Sequence, residues 1–230
     1  MSDDETSAED PRREDTRRGG PGREDTEREE PAGVVDWPVE VTGVTESIVT
    51  TLGPNGRWNV AALGLFEGEP VTATTWGGTR TRRNFEREEE GYVQFTTDPV
   101  LFVDAALSVV EHEGPVLPEA DAWVRVRVSS VDSGTDEGTS WERWALQPIE
   151  RAVRRERVAT IDRGLGAVVE ASVVASRLGV PGYDDDRLRK RLGWARSIVD
   201  SAGDPRECEA FERVLEHVGL TDGELDEERQ

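Results

Sequence analysis

The fold class follows from residues 44–76, VTESIVTTLGPNGRWNVAALGLFEGEPVTATTW. Residues with β-branched or aromatic side chains fill three runs in it, at 44–52, 58–66 and 70–76, which is typical of strands. The first two runs flank Gly-Pro-Asn-Gly at 53–56, where Asn-Gly supplies the positive φ of a hairpin turn. A second turn, Glu-Gly-Glu, precedes the third run. The pattern predicts a three-stranded antiparallel meander, which favours a barrel or a sandwich.

Alternating residues continue the strand pattern beyond this meander. Residues 92–96 (YVQFT) form one run, and residues 123–131 (WVRVRVSSV) form another in which valine alternates with arginine. A Gly-rich segment then leads to a run at 141–146, so the last two runs predict a closing hairpin. A helix is expected at 99–108, with Asp98 as its N-cap. The total is about six strands, enough to close a small barrel.

The hydrophobic period becomes helical after the last strand. Apolar residues recur at helical spacing in about three segments, separated by Pro-Gly at 181–182 and Gly-Asp-Pro at 203–205. The Asp of the second break is the expected N-cap of the last helix. The predicted fold class is therefore α+β, mainly β, with a barrel domain over residues 34–150 and a C-terminal helical domain over 151–222.

Both ends of the chain are expected to be disordered. Residues 1–30 hold twelve acidic residues and six arginines with almost no apolar side chain, so they cannot bury enough surface to offset chain entropy. We expect a disordered acidic arm at 1–33 and a disordered tail at 223–230. The arm resembles neither a secretory signal nor a transit peptide, and no segment approaches the roughly 20 apolar residues of a membrane span. A cytoplasmic protein without membrane contact is expected.

Negative charge extends over the whole chain. The formal net charge is −21, of which the arm contributes −6, and one lysine, Lys190, stands beside 27 arginines. Scattered acidic residues are typical of a halophilic protein, because concentrated salt screens their repulsion. The alternative, an acidic interaction protein of an ordinary cytosol, would carry its charge in blocks. The same charge argues against nucleic-acid binding.

The most informative motif is TTWGGTRTRRNF, residues 74–85. Directly after a Gly pair it gathers three arginines and two hydroxyls: Arg80, Arg82, Arg83, Thr79 and Thr81. Glycine lets backbone N–H groups approach a phosphate, a helix N-terminus adds a favourable dipole, and arginine binds phosphate oxygens bidentately. The motif indicates an anion site. The alternative is a solvated basic helix that pairs with the glutamates following it.

Two further motifs carry compact polar groups. In NVAALG at 59–64, the small side chains of Ala61 and Ala62 leave room for a flat group, and Asn59 is placed to hydrogen-bond a polar edge of it. Close backbone packing is the alternative interpretation. FTTD at 95–98 likewise ends a strand with small polar side chains.

The residues give no sign of hydrolytic or metal chemistry. No nucleophile, base and orienting residue occur at a recognisable spacing. The single cysteine, Cys208, excludes an intramolecular disulfide, and the two histidines lie far apart without carboxylates at metal-ligand spacing. A cofactor with its own reactivity would need only binding, orientation and electrostatics from these motifs.

The order of the motifs resembles that of an archaeal family of uncharacterised FMN-binding split-barrel proteins. NVAALG at 59–64 comes first, followed by GTRTRRN at 78–84 and TTDP at 96–99. The segment IDRGLGAVVEASVVASRL at 161–178 is similar to a C-terminal helix of that family, although Asp162 stands where Asn is expected. The resemblance implies an FMN-binding split β-barrel followed by a C-terminal helical segment.

The resemblance also implies FMN as the cofactor and assigns residues to it. Four residues of the basic motif would hold the phosphate: Thr79, Arg80, Thr81 and Asn84. The ring would lie against the second strand, near five residues of the other two motifs: Asn59, Ala61, Ala62, Thr97 and Asp98. Asp162 is left outside the site, because a carboxylate cannot donate the hydrogen bond of an amide. Split-barrel flavoproteins commonly bind flavin between two subunits, so a homodimer is implied.

Three functions remain open at the level of sequence. The first is an FMN-dependent oxidoreductase that acts on a small-molecule substrate or takes electrons from a nicotinamide donor. The second is a non-catalytic FMN-binding or redox-sensing module, which nicotinamides would not reduce at a useful rate. The third is a helical interaction protein with a vestigial barrel, which would bind no flavin.

Overall fold

The structure is a computed structural model, and it describes residues 35–136, 138–221, 223 and 225. The expected acidic arm at 1–33 lies outside the described residues. The same holds for the expected tail at 223–230, apart from Gly223 and Leu225. Leu225 is buried among the C-terminal helices.

In the described part of the chain, seven strands form one antiparallel sheet. Their bounds are β1 (Val44–Leu52), β2 (Trp58–Phe66), β3 (Val71–Trp76), β4 (Glu90–Phe95), β5 (Val110–His112), β6 (Ala122–Asp136) and β7 (Thr139–Val153). Six of them follow the order β1-β4-β6-β7-β3-β2, and β2 pairs with β1 to close the barrel. The short strand β5 pairs with residues 58–60 of β2, whereas β3 pairs with residues 65 and 66 of the same strand. The predicted barrel is confirmed.

The strands differ from the prediction in number and in length. β5 was not predicted, because three residues are too few to show an alternating pattern. The closing hairpin is longer than expected, since β6 and β7 each span 15 residues. β7 therefore continues to Val153, beyond the predicted end of the barrel at residue 150.

Strand alternation builds the core of the barrel. In β6 the valines at 124, 126 and 128 are buried, whereas Arg125 and Arg127 lie on the other face. The interior also takes Val49 from β1, Leu63 and Leu65 from β2 and Trp144 from β7. The turn between β1 and β2 uses Gly56 at φ 75°, as the Asn-Gly pair predicts.

The described residues contain five regular helices: α1 (Arg80–Glu88), α2 (Pro99–Leu107), α3 (Arg163–Ala175), α4 (Asp185–Ala202) and α5 (Pro205–Val218). The predicted caps are confirmed: Asp98 caps α2, and Asp204 caps α5 in a capping box with Glu207. The first C-terminal helix begins at Arg163, because β7 extends to Val153 and residues 154–162 lie in neither a helix nor a strand. Asp162 caps α3 with its side chain.

The C-terminal helices share a core with α2. Val100 and Val103 of α2 are buried together with Val168 of α3, Leu192 of α4 and Phe211 of α5. The helical segment is thereby joined to the barrel, since α2 also packs Phe102 against Ile48 and Val60 of the sheet. No helix in the described ranges is long and apolar enough to cross a membrane.

Candidate functional site

A cavity of about 360 Å³ lies between the β1–β2 turn, α1 and β5. We call it the α1 cavity and define it by its lining residues: Gly53, Pro54, Asn55, Asn59, Arg80, Arg83, Asn84, Arg87 and Glu111. Three of these are arginines and one is a carboxylate. The lining is therefore net positive in a chain whose formal charge is −21.

Helix α1 is held against the barrel by one aromatic side chain. Phe85 is fully buried in the barrel core, with its ring centroid 5.4 Å from that of Trp144. Gly91 of β4 makes room for it, because a Cβ at that position would lie 2.9 Å from Phe85 Cε1. Thr79 caps the helix, and its Oγ1 accepts a hydrogen bond from the Arg82 backbone N–H at 3.3 Å. The packing of Phe85 and the Thr79 cap together fix which face of α1 lines the cavity.

The three arginines of the cavity differ in their partners. Arg80 Nη1 donates to Glu111 Oε1 at 2.8 Å. Arg87 donates to Asn84 Oδ1 at 3.1 Å and to the carbonyl of Leu52, and it pairs with Glu88 at 2.6 Å. Arg83 is exposed, and its guanidinium has no hydrogen-bond or ion-pair partner among the described residues. Arg83 is thus the cation of the cavity that is free to take an external anion.

A group of buried polar side chains lies under α1. Asn59 Nδ2 donates to Thr81 Oγ1 at 3.4 Å, and Asn84 Nδ2 donates to Thr51 Oγ1 at 2.9 Å. All four side chains are buried. Asn84 therefore connects α1 to β1. Its Nδ2 donates to Thr51 and its Oδ1 accepts from Arg87, so both polar groups of its amide already have partners.

The alanines of the NVAALG motif lie on opposite faces of β2. Ala61 packs against the barrel interior, whereas Ala62 packs against the cluster that contains Phe102 of α2. Successive side chains of a strand point to opposite faces, so only Ala61 shares a face with Asn59. A single flat ligand would not contact both alanine side chains.

Thr97 and Asp98 lie in a different cavity, of about 410 Å³. We call it the α2–α5 junction; its lining residues are Thr96, Thr97, Asp98, Pro99, Glu119, Arg155, Arg157, Asp204 and Arg206. None of them lines the α1 cavity. The structure therefore brings Asn59, Arg80 and Asn84 together but separates them from Thr97 and Asp98.

Asp98 is fully engaged within the junction. Its Oδ1 accepts hydrogen bonds from the N–H groups of Val100 and Leu101 at 3.0 and 3.1 Å, and Arg206 Nη2 donates to both carboxylate oxygens at 2.9 and 2.8 Å. Burial acts to raise the pKa of Asp98, but these hydrogen bonds and the Arg206 charge outweigh it and lower the pKa. The carboxylate joins α2 to α5.

Family models match most of the folded chain. The N-terminal domain model of a protein family of unknown function, DUF447, matches residues 45–155, and the C-terminal model of the same family matches residues 162–216. The chain belongs to the DUF447 family. The two matches meet at the change from barrel to helices.

Solved structures with the same fold include another DUF447 protein. The FMN-bound protein from Methanosarcina mazei is 23% identical and superposes with a TM-score of 0.64, covering 76% of this chain and 95% of that one. The likeness confirms the split-barrel fold with its C-terminal helices. A weaker match, nitrilotriacetate monooxygenase component B from Bacillus cereus, is 14% identical with a TM-score of 0.39, covering 52% of this chain and 74% of that one.

The DUF447 sequence also contains cavity residues that motif reasoning missed. Arg87 follows Arg80 and Arg83 at helical spacing, so the periodicity of α1 would have revealed it. Arg82 was grouped with them, yet it lies off this face and pairs with Glu86 and Glu142, both at 3.0 Å. No local signal indicated Glu111, because the pairing of β5 with β2 brings it to Asn59.

Proposed function

We propose that this protein binds FMN, with the phosphate in the α1 cavity. The observation that carries the proposal is Arg83, an exposed guanidinium without a partner in the described structure, between Arg80 and Arg87 on one helix face. Guanidinium groups bind phosphate oxygens bidentately, and three of them line this one cavity. The FMN bound to the Methanosarcina relative supports the same choice of cofactor.

The lining of the α1 cavity fits the polar end of FMN. Arginine and asparagine side chains suit a phosphate and a ribityl chain, and the volume lies at the small end of the range for ligand pockets. The ring needs a flatter, less polar surface, which we place along β2 next to Asn59, the residue of this strand that lines the cavity. Thr79 and Thr81 support the site indirectly, since Thr79 caps α1 and Thr81 accepts a bond from Asn59.

We further propose that the protein is an oxidoreductase. A bound flavin supplies the capacity to accept and donate electrons. Among the described residues that line the cavity there is no histidine or cysteine, and the one carboxylate there, Glu111, is paired with Arg80. The protein groups therefore serve to bind and orient. Bleaching of the flavin band by NADH or NADPH under anaerobic conditions would support this function, and a flavin that neither nicotinamide reduces would favour the non-catalytic module.

The binding proposal is tested by titrating the protein with FMN and with riboflavin in multimolar KCl. Riboflavin lacks the phosphate, so the ratio of the two affinities isolates its contribution. We expect Arg83→Ala to weaken FMN binding roughly 10- to 100-fold, as for one lost charge-assisted contact, and to leave riboflavin unchanged. Arg127→Ala, at an exposed position of β6, is the matched control and should change neither affinity.

Two outcomes would contradict the proposal. Folded wild-type protein that binds neither flavin would favour the helical interaction protein. Equal loss of FMN and riboflavin affinity in Arg83→Ala would place the phosphate elsewhere.

We also propose that the protein is a cytoplasmic homodimer of a halophilic cell. The proposal rests on the charge of −21 and on the resemblance to split-barrel flavoproteins. Light scattering at high and low KCl would test it. A monomer at both salt concentrations would contradict the homodimer, and an unfolding temperature that does not rise with salt would contradict the salt adaptation.

A further inference from the structure

Glu111 is the one carboxylate among the residues that line the α1 cavity. It accepts a hydrogen bond from Arg80 at 2.8 Å, and Asn55 Nδ2 lies 3.3 and 3.2 Å from its two oxygens. The carboxylate therefore occupies donors that face the cavity. A phosphate that binds Arg80 has to compete with it.

Glu111 has a second cationic neighbour outside the cavity. Arg57 Nε lies 3.6 Å from Glu111 Oε2, and Arg57 Nη2 donates to the Glu111 backbone carbonyl at 3.4 Å. The Arg57 N–H also donates to Asn55 Oδ1 at 3.2 Å, which fixes the turn that carries both residues. If Arg80 moves to an external anion, Glu111 keeps Asn55 and Arg57. The carboxylate therefore still has partners, and the free-energy cost of an unpaired carboxylate is avoided.

We propose that Glu111 is an internal substitute for the ligand phosphate: it holds Arg80 in the unliganded protein and releases it to a phosphate ester, using Arg57 as the alternative partner. The proposal rests on the proposed function and names the residue that regulates the same site. A phosphate ester carries nearly two negative charges at neutral pH, so it competes for Arg80 better than a singly charged group does. Glu111 thereby favours phosphorylated ligands over monoanions and lowers the affinity for both.

The opposite role for Glu111 makes the opposite prediction. If the carboxylate only positions Arg80 for the phosphate, its removal leaves Arg80 disordered and weakens FMN binding. If it competes with the phosphate, its removal strengthens FMN binding. The sign of the effect separates the two roles.

Glu111→Gln is the first variant, because it removes the charge and keeps the shape. We expect FMN to bind about fivefold to tenfold more tightly, since a like charge near the phosphate is gone. Riboflavin should bind as it does to the wild type. Glu113→Gln is the matched control: Glu113 is 90% exposed, lies 4.0 Å from Arg57 and does not line the cavity. It should leave both affinities unchanged.

Arg57→Ala tests the alternative partner. Without Arg57 the carboxylate depends more on Arg80, so FMN binding should weaken several-fold in the wild-type background. In the Glu111→Gln background the same substitution should have little effect. Equal effects in both backgrounds would show that Arg57 acts only as a distant charge and would overturn the exchange.

The experiment is a fluorescence titration of the full chain with FMN and riboflavin for wild type and these variants, with thermal melting to confirm that each variant is folded. Tighter FMN binding in Glu111→Gln, with riboflavin unchanged, is the expected result. Unchanged or weaker FMN binding, or an equal gain for riboflavin, would overturn the role of Glu111 while leaving FMN binding intact. If folded wild type and variants all fail to bind FMN, the proposed function fails, and the inference fails with it.

Discussion

The α1 cavity and the α2–α5 junction contain similar residues with different pairing. Each has three arginines beside the end of a strand and the start of a helix. All three arginines of the junction are paired: Arg206 with Asp98, and Arg157 and Arg155 with the neighbouring Asp121 at 2.7 and 3.4 Å. In the α1 cavity, Arg83 has no partner within the described structure.

Pairing, and not composition, is what distinguishes the proposed phosphate site from the α2–α5 junction. Thr97 and Asp98 end a strand with small polar groups, as a cofactor site does, and the sequence therefore suggested a ligand. The fold places Arg206 of α5 against Asp98, which turns the motif into a link between helices. Arg206 donates to both oxygens of Asp98, whereas Arg80 donates to one oxygen of Glu111, a carboxylate that has Arg57 as a second partner.

The largest expected effect on stability comes from removing the side chain that packs α1 against the barrel. Phe85→Ala should lower the free energy of unfolding by about 3–5 kcal/mol, because it empties a fully buried aromatic site. FMN affinity should fall with it, since α1 carries the arginines. Phe66→Ala, at a phenylalanine that is 40% exposed, is the control and should cost less than about 1 kcal/mol. Equal losses in chemical denaturation would contradict the role of Phe85.

A smaller effect is expected at the junction. Asp98→Ala should lower the free energy of unfolding by about 1–2 kcal/mol, since it removes a helix N-cap and leaves Arg206 without that partner. FMN affinity should stay unchanged. A loss of FMN affinity without a loss of stability would restore Asp98 to the cofactor site and remove the contrast between the two regions.

The smallest effect is a pH dependence in the first turn of α5. Burial, together with the Asp162 and Asp204 carboxylates, raises the pKa of Glu207, against the lowering effect of the Asp204 N–H. A carboxyl group whose pKa is higher in the folded than in the unfolded state destabilises the fold when it is ionised. This destabilisation disappears as the pH falls through the folded-state pKa towards the unfolded-state pKa, because the group then becomes protonated in the folded protein.

Wild type should therefore gain stability relative to Glu207→Gln as the pH is lowered from 8 towards 5. The measurement is urea denaturation of both proteins across that range. Glutamine keeps an acceptor for the Asp204 N–H, so the capping contact is preserved. A difference in stability that does not change with pH would contradict the raised pKa.

Local sequence signals predicted the parts of the fold that local chemistry determines. The Asn-Gly turn, the alternating valines of β6 and the caps Asp98 and Asp204 each depend on a few neighbouring residues. The arginines of the basic motif follow β3, and Arg80 lines the α1 cavity.

The remaining features depend on contacts between distant residues. Glu111 reaches the cavity only because β5 pairs with β2. Asn84, which the resemblance assigns to the phosphate, lines the cavity, and its Nδ2 donates to Thr51, 33 residues earlier in the chain. Arg206, 108 residues after Asp98, donates to the Asp98 carboxylate and so makes the junction a contact between α2 and α5. Such pairings follow from the closed barrel and helix packing, which a single motif does not encode.

The most direct test of the account compares Arg83→Ala with Arg206→Ala in one FMN titration. Both substitutions remove an arginine from a cavity at a strand end, so they are matched in charge and setting. We predict that Arg83→Ala loses roughly 10- to 100-fold in FMN affinity with its stability unchanged, whereas Arg206→Ala keeps its affinity and loses stability. Loss of FMN binding in Arg206→Ala but not in Arg83→Ala would contradict it.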